Sequence, residues 1–159
     1  MTKTITPEVF YLSIPSMLIT IILLYIHTVM DYNFDLAEGK QTIANSFNSQ
    51  LDSLIVLKWF LIVAYISPIL LCILDILDWQ VFFVYLTIPL AVDLYKSMMD
   101  FSLDSESIPQ KKWYHFPMEN MKHIKSMNAQ SFMIRMYQSR NLMIYFSILL
   151  TVGIILGCI

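Results

Sequence analysis

Charge is scarce in this sequence: Asp, Glu, Lys and Arg together make up 14% of 159 residues, too little to coat a soluble domain of that length. There is no basic excess either. A net charge of −2 leaves no broad cationic surface, so nucleic acid is excluded as an expected partner. Both cysteines, Cys72 and Cys158, sit inside apolar runs without a CxxC or a neighbouring histidine, and neither a metal site nor a structural disulfide is expected from them. No A-x-A-like cleavage site follows the first apolar run, which therefore reads as a retained helix and not as a signal peptide. Internal repeats, coiled-coil heptads and low-complexity tracts are missing as well.

What the chain does have is apolar sequence: 57% of its residues are hydrophobic and the mean hydropathy is +0.63. These residues fall into blocks at 10–30, 54–74, 81–96 and 142–159. A helix needs about 17–25 apolar residues to cross roughly 30 Å of hydrocarbon at about 1.5 Å per residue. The third and fourth blocks are at the short end, and the third could equally dip in and tilt. The expected fold is thus an all-α membrane protein, one domain over 1–159 with about four transmembrane helices and polar loops at 31–53 and 97–141. Orientation follows from the basic residues. Lys96, Lys111, Lys112, Lys122, Lys125, Arg135 and Arg140 crowd the third loop, whereas the link between the second and third spans offers only Asp75 and Asp78. Basic short loops stay cytoplasmic, which puts both long loops inside and both termini outside. Within the third loop, Pro117 is suited to a first helical position and Glu119 to the positive end of the helix dipole. Met121 and Ile124 then form an apolar stripe, predicting an interfacial helix that lies at the headgroups and is able to run on through Phe132 and Tyr137 into the last span.

The polar residues that follow the first span are the ones with chemistry in them. In "HTVMDYNFDLAEGKQTIAN", a helix persisting through Asp35 stacks His27, Asp31 and Asp35 one turn apart, with neighbouring side chains about 5–6 Å from each other. Two carboxylates this close, at the negative end of a helix beside lipid, call for a cation. Mg²⁺ answers that demand: it takes one or two protein carboxylates and completes its shell with water and phosphate oxygens. Gly39 is placed to end the helix in a left-handed conformation and to turn Lys40 back toward the carboxylates, where it could hold a phosphate oxygen as a point charge. The plainer reading is a set of solvated loop charges in which Lys40 neutralises a neighbour.

Asp31, Asp35, Gly39, Lys40, Thr42 and Ile43 together resemble the second aspartate-rich motif, D-x-x-x-D followed by G-K-x-T-[LI], of the UbiA superfamily of intramembrane prenyltransferases. The similarity is to the branch that prenylates aromatic acceptors such as 4-hydroxybenzoate or 1,4-dihydroxy-2-naphthoate. In that family the motif ends the sixth of nine helices on the cytoplasmic side and three more helices follow, as three follow here. The resemblance implies the C-terminal part of a Mg²⁺-dependent enzyme of quinone biosynthesis in a bacterial cytoplasmic membrane. Its implied ligands are a prenyl diphosphate and an aromatic acceptor, with Asp31 and Asp35 on the metal and Lys40 on the diphosphate; Arg140, which opens the last helix from the cytoplasmic side, could also reach the diphosphate, although a snorkelling anchor explains it more cheaply. The family's first motif, N-x-x-x-D, has no counterpart: Asn33 stands too close to Asp35, and Asp100 with Asp104 repeats the spacing without an asparagine or basic partner. The expectation is therefore either a truncated or split product or a chain that assembles with a separate subunit carrying the N-terminal helices. Metal and basic groups would stabilise the departing diphosphate, and the rings of Tyr25, Tyr32 or Phe34 could support a cationic prenyl centre. His27 and Asp93 are candidates for a supporting role, His27 as an orienting group or general base and Asp93 as a charge inside the third span, with Lys96 its expected partner. The alternative is a small non-catalytic membrane protein or assembly subunit.

Overall fold

The computed structural model describes residues 7–110, 112–115 and 127–157. All regular structure among them is helical: α1 (Pro7–Met30), α2 (Tyr32–Ala37), α3 (Gln50–Ile73), α4 (Ile88–Leu103) and α5 (Met127–Gly157), with 3₁₀ segments at Ala44–Ser46 and Trp79–Thr87. Four stretches, Phe10–Met30, Gln50–Ile73, Trp79–Leu103 and Ala129–Gly157, are long and apolar enough to cross a membrane. Large apolar side chains such as Leu24, Ile73, Leu86 and Ile155 are exposed along them, the arrangement expected when the surrounding solvent is hydrocarbon and not water.

Local sequence explains where the helices start and how they survive interruption. Ser49 caps α3, its hydroxyl accepting from the Asp52 amide at 3.0 Å and donating to the Asp52 carboxylate at 2.7 Å, so two groups at the helix start are satisfied together. Pro68 inside α3 has no N–H to offer the Ala64 carbonyl. The hydroxyl of Ser67 supplies the bond instead, at 2.9 Å, which is how a proline is tolerated in a helix without water around it.

The helices pack into one bundle. Its core joins Ile22, Ile26 and Val29 of α1, Leu54 and Leu57 of α3, Leu94 and Met98 of α4, and Leu142 and Phe146 of α5. Polar bonds tie α1 to the start of α3: the Tyr25 hydroxyl donates to the Ser53 carbonyl at 2.7 Å and Gln50 Nε2 to the Val29 carbonyl at 2.6 Å. Next to them the Tyr32 hydroxyl bonds the Phe47 carbonyl at 2.9 Å.

Two boundaries differ from the hydropathy pattern. The third crossing begins as a nine-residue 3₁₀ segment, Trp79–Thr87, a long run for that geometry, pressed against α5. The last helix starts at Met127, not at 142, and runs unbroken through Phe132 and Tyr137 into the final apolar run. Its first half is polar in composition but buries Ser131, Arg135, Gln138, Ser139 and Asn141. Ser131, Arg135 and Ser139 hydrogen-bond inside the protein, so a helix that reads as a loop by hydropathy is stable there. The interfacial helix expected from Pro117 onward, and Cys158, lie outside the described residues before Met127 and after Gly157.

Candidate functional site

The acidic corner at the end of α1 is built on an almost continuous helical path. Asp31 interrupts α1 and α2 only as a turn residue, and the i−4 bonds run straight through it, Asp31 N–H to the His27 carbonyl at 2.9 Å and Asp35 N–H to the Asp31 carbonyl at 2.8 Å. His27, Asp31 and Asp35 are therefore stacked one turn apart along the same path. Asp35 is buried, at 8% exposure, and Asp31 is part-buried.

Gly39 ends α2 at φ +70°. Its N–H bonds the Leu36 carbonyl at 3.2 Å and the Lys40 N–H bonds the Asp35 carbonyl at 2.9 Å, the paired bonds of a Schellman turn. The turn brings Lys40 back. Its Nζ lies 2.6 Å from Glu38 Oε2 and 3.8 Å from Asp35 Oδ1, and 5.3 Å above the Phe34 ring. The Glu38 carboxylate, by hydrogen bond and then by charge, raises the Lys40 pKa, with Asp35 and Asp31 adding to it against a smaller loss of hydration. A cation with a raised folded pKa contributes fully below its unfolded value of about 10.4 and loses that contribution only as pH rises through the folded one. Lys40 is thus a fixed charge at neutral pH, and it already draws on three carboxylates.

Gly39 itself offers a clean test of the turn. A Cβ there meets nothing within 4 Å, so Gly39→Ala carries only backbone strain, about 1–2 kcal/mol. Denaturation of the detergent-solubilised chain should show that loss, with Gly39→Asn closer to wild type. An unchanged midpoint for Gly39→Ala means that the turn relaxes and does not hold Lys40 in place.

The remaining motif residues have structural work. Thr42 and Asn45 cap the 3₁₀ segment reciprocally, at 2.8 and 3.3 Å. Tyr25 and Tyr32 are buried with their hydroxyls bonded to backbone, and the exposed Phe34 lies under Lys40. The His27 ring meets Phe132 of α5 edge to face, centroids 6.1 Å apart. Arg140 is not brought to the carboxylates: it lies about 12 Å further along α5 than Phe132, by helical rise, with its guanidinium 4.3 Å over the Tyr137 ring. Among the described residues its buried Nε has no hydrogen-bond partner.

Asp93 forms a second cluster, with a partner other than the expected Lys96. Lys112 Nζ sits 2.6 Å from Asp93 Oδ1, the Tyr114 hydroxyl donates to Asp93 Oδ2, and His115 Nε2 lies 3.5 Å from the same oxygen. The Asp93 carboxylate, by hydrogen bond, is also the main cause that raises the Lys112 pKa. A polar cavity of about 150 Å³ opens beside this cluster, bordered by Ser97, Asp100 and Gln138.

Arg135 was visible in the sequence only as one basic residue among seven, yet it is wholly buried. Its Nε donates to the Ser97 carbonyl at 2.8 Å, Nη1 to the Ser107 and Ser131 carbonyls at 3.0 Å and to Ser131 Oγ at 2.5 Å, and Nη2 to Ser107 Oγ at 2.8 Å. The guanidinium also stacks 4.8 Å over Phe101. Asp100 and Asp104, the second DxxxD, act on it through space, so they serve as counter-charges to a buried cation. The nearest sequence signal is S-x-x-x-R at 131–135, one helical turn.

A magnesium ion can be judged against the donors present. Asp31 and Asp35 offer hard oxygen ligands one turn apart, which suits Mg²⁺. Among the described residues no three His, Cys, Asp or Glu side chains converge to hold a metal, so the fit is to a half-site completed by water and phosphate. No family model, curated protein or solved structure matches this chain. What stands is an all-helical protein with four helices long and apolar enough to span a membrane, consistent with an integral membrane protein.

Proposed function

We propose that the chain binds a Mg²⁺–diphosphate headgroup at Asp31, Asp35 and Lys40, and that it serves as the later helices of a UbiA-like prenyltransferase acting on an aromatic acceptor. A separate chain carrying the first aspartate-rich motif completes the enzyme. The observation that carries this reading is the stacking of Asp31 and Asp35 on one helical path with Lys40 turned back to 3.8 Å from Asp35. Bound there, Mg²⁺ supplies Lewis-acid stabilisation of a leaving diphosphate. The residues do the rest by position. Asp31 and Asp35 hold the metal, and Lys40 exchanges Glu38 for a phosphate oxygen, keeping its charge throughout. His27, anchored edge to face on Phe132, fixes the turn below the carboxylates. The corner faces the cytoplasm in this reading, following the basic residues of the loop that precedes α5.

Calorimetric titration of the detergent-solubilised full chain with geranyl diphosphate tests it. Binding is expected with Mg²⁺ and not with EDTA. Asp31→Asn, Asp35→Asn and Lys40→Gln should each weaken it by about 10- to 100-fold, the loss of one charge-assisted contact. A second reading, a non-catalytic membrane or assembly subunit, is favoured by the ion pairs through which Lys40 already offsets the acidic charge. Heat of binding that is absent, or indifferent to Mg²⁺ and to all three substitutions, selects that second reading.

A further inference from the structure

The facing sides of α3 and α4 enclose an apolar cavity of about 360 Å³. Each wall is a single helix face: the α3 wall follows i, i+3, i+4, i+7 from Lys58 to Tyr65, and the α4 wall repeats that spacing from Ile88 to Lys96. The two helices run antiparallel, and the Tyr65 hydroxyl meets Thr87 Oγ1 at 2.6 Å at one end. Lys58 and Lys96 consequently lie together at the other end, about 10 Å away by helical rise.

Both lysines are exposed, neither forms an ion pair among the described residues, and no carboxylate lines the cavity. Lys96 also borders the polar cavity near Asp93 and Asp100, but Asp93 is already paired with Lys112. Leu61 and Ala91 form a buried floor, while Ile88 and Val92, at 43% and 44% exposure, leave the side of the groove open along two membrane-length helices. An apolar trough open to lipid, with two lysines outside any ion pair among the described residues at one end, complements an amphiphile whose negative charge sits at its head.

We infer that this groove holds one acyl chain of an anionic glycerophospholipid from the bilayer, with its phosphate between Lys58 and Lys96. A zwitterionic lipid is disfavoured because its ammonium group would share the space with both lysines. The inference needs only that the chain spans a bilayer, and it is independent of Asp31 and Asp35.

Trp59, exposed and next to Lys58, is a built-in reporter. The full chain with Trp79→Phe and Trp113→Phe, reconstituted in phosphatidylcholine vesicles, is titrated with dibrominated phosphatidylglycerol or dibrominated phosphatidylcholine, and quenching of Trp59 is read. Half-maximal quenching by the phosphatidylglycerol should come at a mole fraction lower by a factor on the order of ten. Lys58→Gln with Lys96→Gln should remove the preference, and Lys58→Arg with Lys96→Arg should keep it, all at unchanged helicity. Excess aqueous inorganic phosphate should leave it intact. Equal quenching by both lipids in the wild-type background overturns the inference, as does a preference that survives in the glutamine variant or vanishes with free phosphate.

Discussion

Replacing Arg135 with methionine lowers the stability of the folded chain by about 3–5 kcal/mol, the scale of losing a buried charged hub and its hydrogen bonds. The residue joins three parts of the molecule. Its guanidinium reaches the Ser97 carbonyl on α4, the Ser107 carbonyl and hydroxyl in the chain after α4, and Ser131 one turn before it on α5. Methionine fills much of the volume but donates nothing, so the Ser97 carbonyl and the Ser131 hydroxyl, both on buried residues, lose a donor. Lysine restores the charge without the planar fork, and donors held in one plane at Nε, Nη1 and Nη2 are what this site uses. Arg135→Lys should therefore recover less than half of the loss. Denaturant titration of the solubilised chain, followed by circular dichroism, measures both. A methionine variant within about 1 kcal/mol of wild type, the net worth of a single ordinary hydrogen bond, contradicts the hub.

Gly153→Ala should be the other severe substitution, destabilising by about 3 kcal/mol, at the upper end of overpacking in a well-filled core. A Cβ at this position comes 2.6 Å from the Gln80 carbonyl oxygen and 2.7 Å from Val81 Cα, and backbone on both sides has nowhere to go. The close approach of α5 to the 3₁₀ segment depends on that missing methyl, as small residues let backbones meet in membranes. Gly157 gives the internal comparison. Its nearest neighbours belong to the Asp78 side chain, Oδ2 at 2.8 Å, which rotates away, and Cβ at 2.9 Å, which moves only with its backbone, so Gly157→Ala should lose less than Gly153→Ala, about 1–2 kcal/mol. Equal effects at the two positions would mean that the backbone contact at Gly153 is not limiting.

How much of this was legible in the sequence depended on whether the signal was local. Crossing hydrocarbon demands about 20 apolar residues in a row, and four blocks announced four helices. The stacking of His27, Asp31 and Asp35 follows from helical repeat alone, and Gly39 before Lys40 announces a left-handed turn whose φ is +70°. The start of α5 was hidden for a definite reason. Hydropathy scores Arg135, Gln138 and Asn141 as water-facing, whereas the bundle supplies them with partners or encloses them. Only the amphipathic stripe carried a hint that the helix runs on. The partner of Asp93 was out of reach because Lys112, Tyr114 and His115 stand about twenty residues away in irregular chain, and a nearer lysine three positions on was the simplest guess. The role of Asp100 and Asp104 was hidden likewise, since nothing in their spacing names a buried arginine on another helix.

The carboxylate pair at the end of α1 is the centre of the account, and manganese in place of magnesium interrogates it without any turnover. Electron–nuclear double resonance of the full chain with Mn²⁺ and geranyl diphosphate should reveal one protein-bound Mn²⁺ coupled to ³¹P, lost in both Asp31→Asn and Asp35→Asn. A Mn²⁺ signal identical with and without the protein, or one that both substitutions leave unchanged, would contradict a metal–diphosphate site on those two residues.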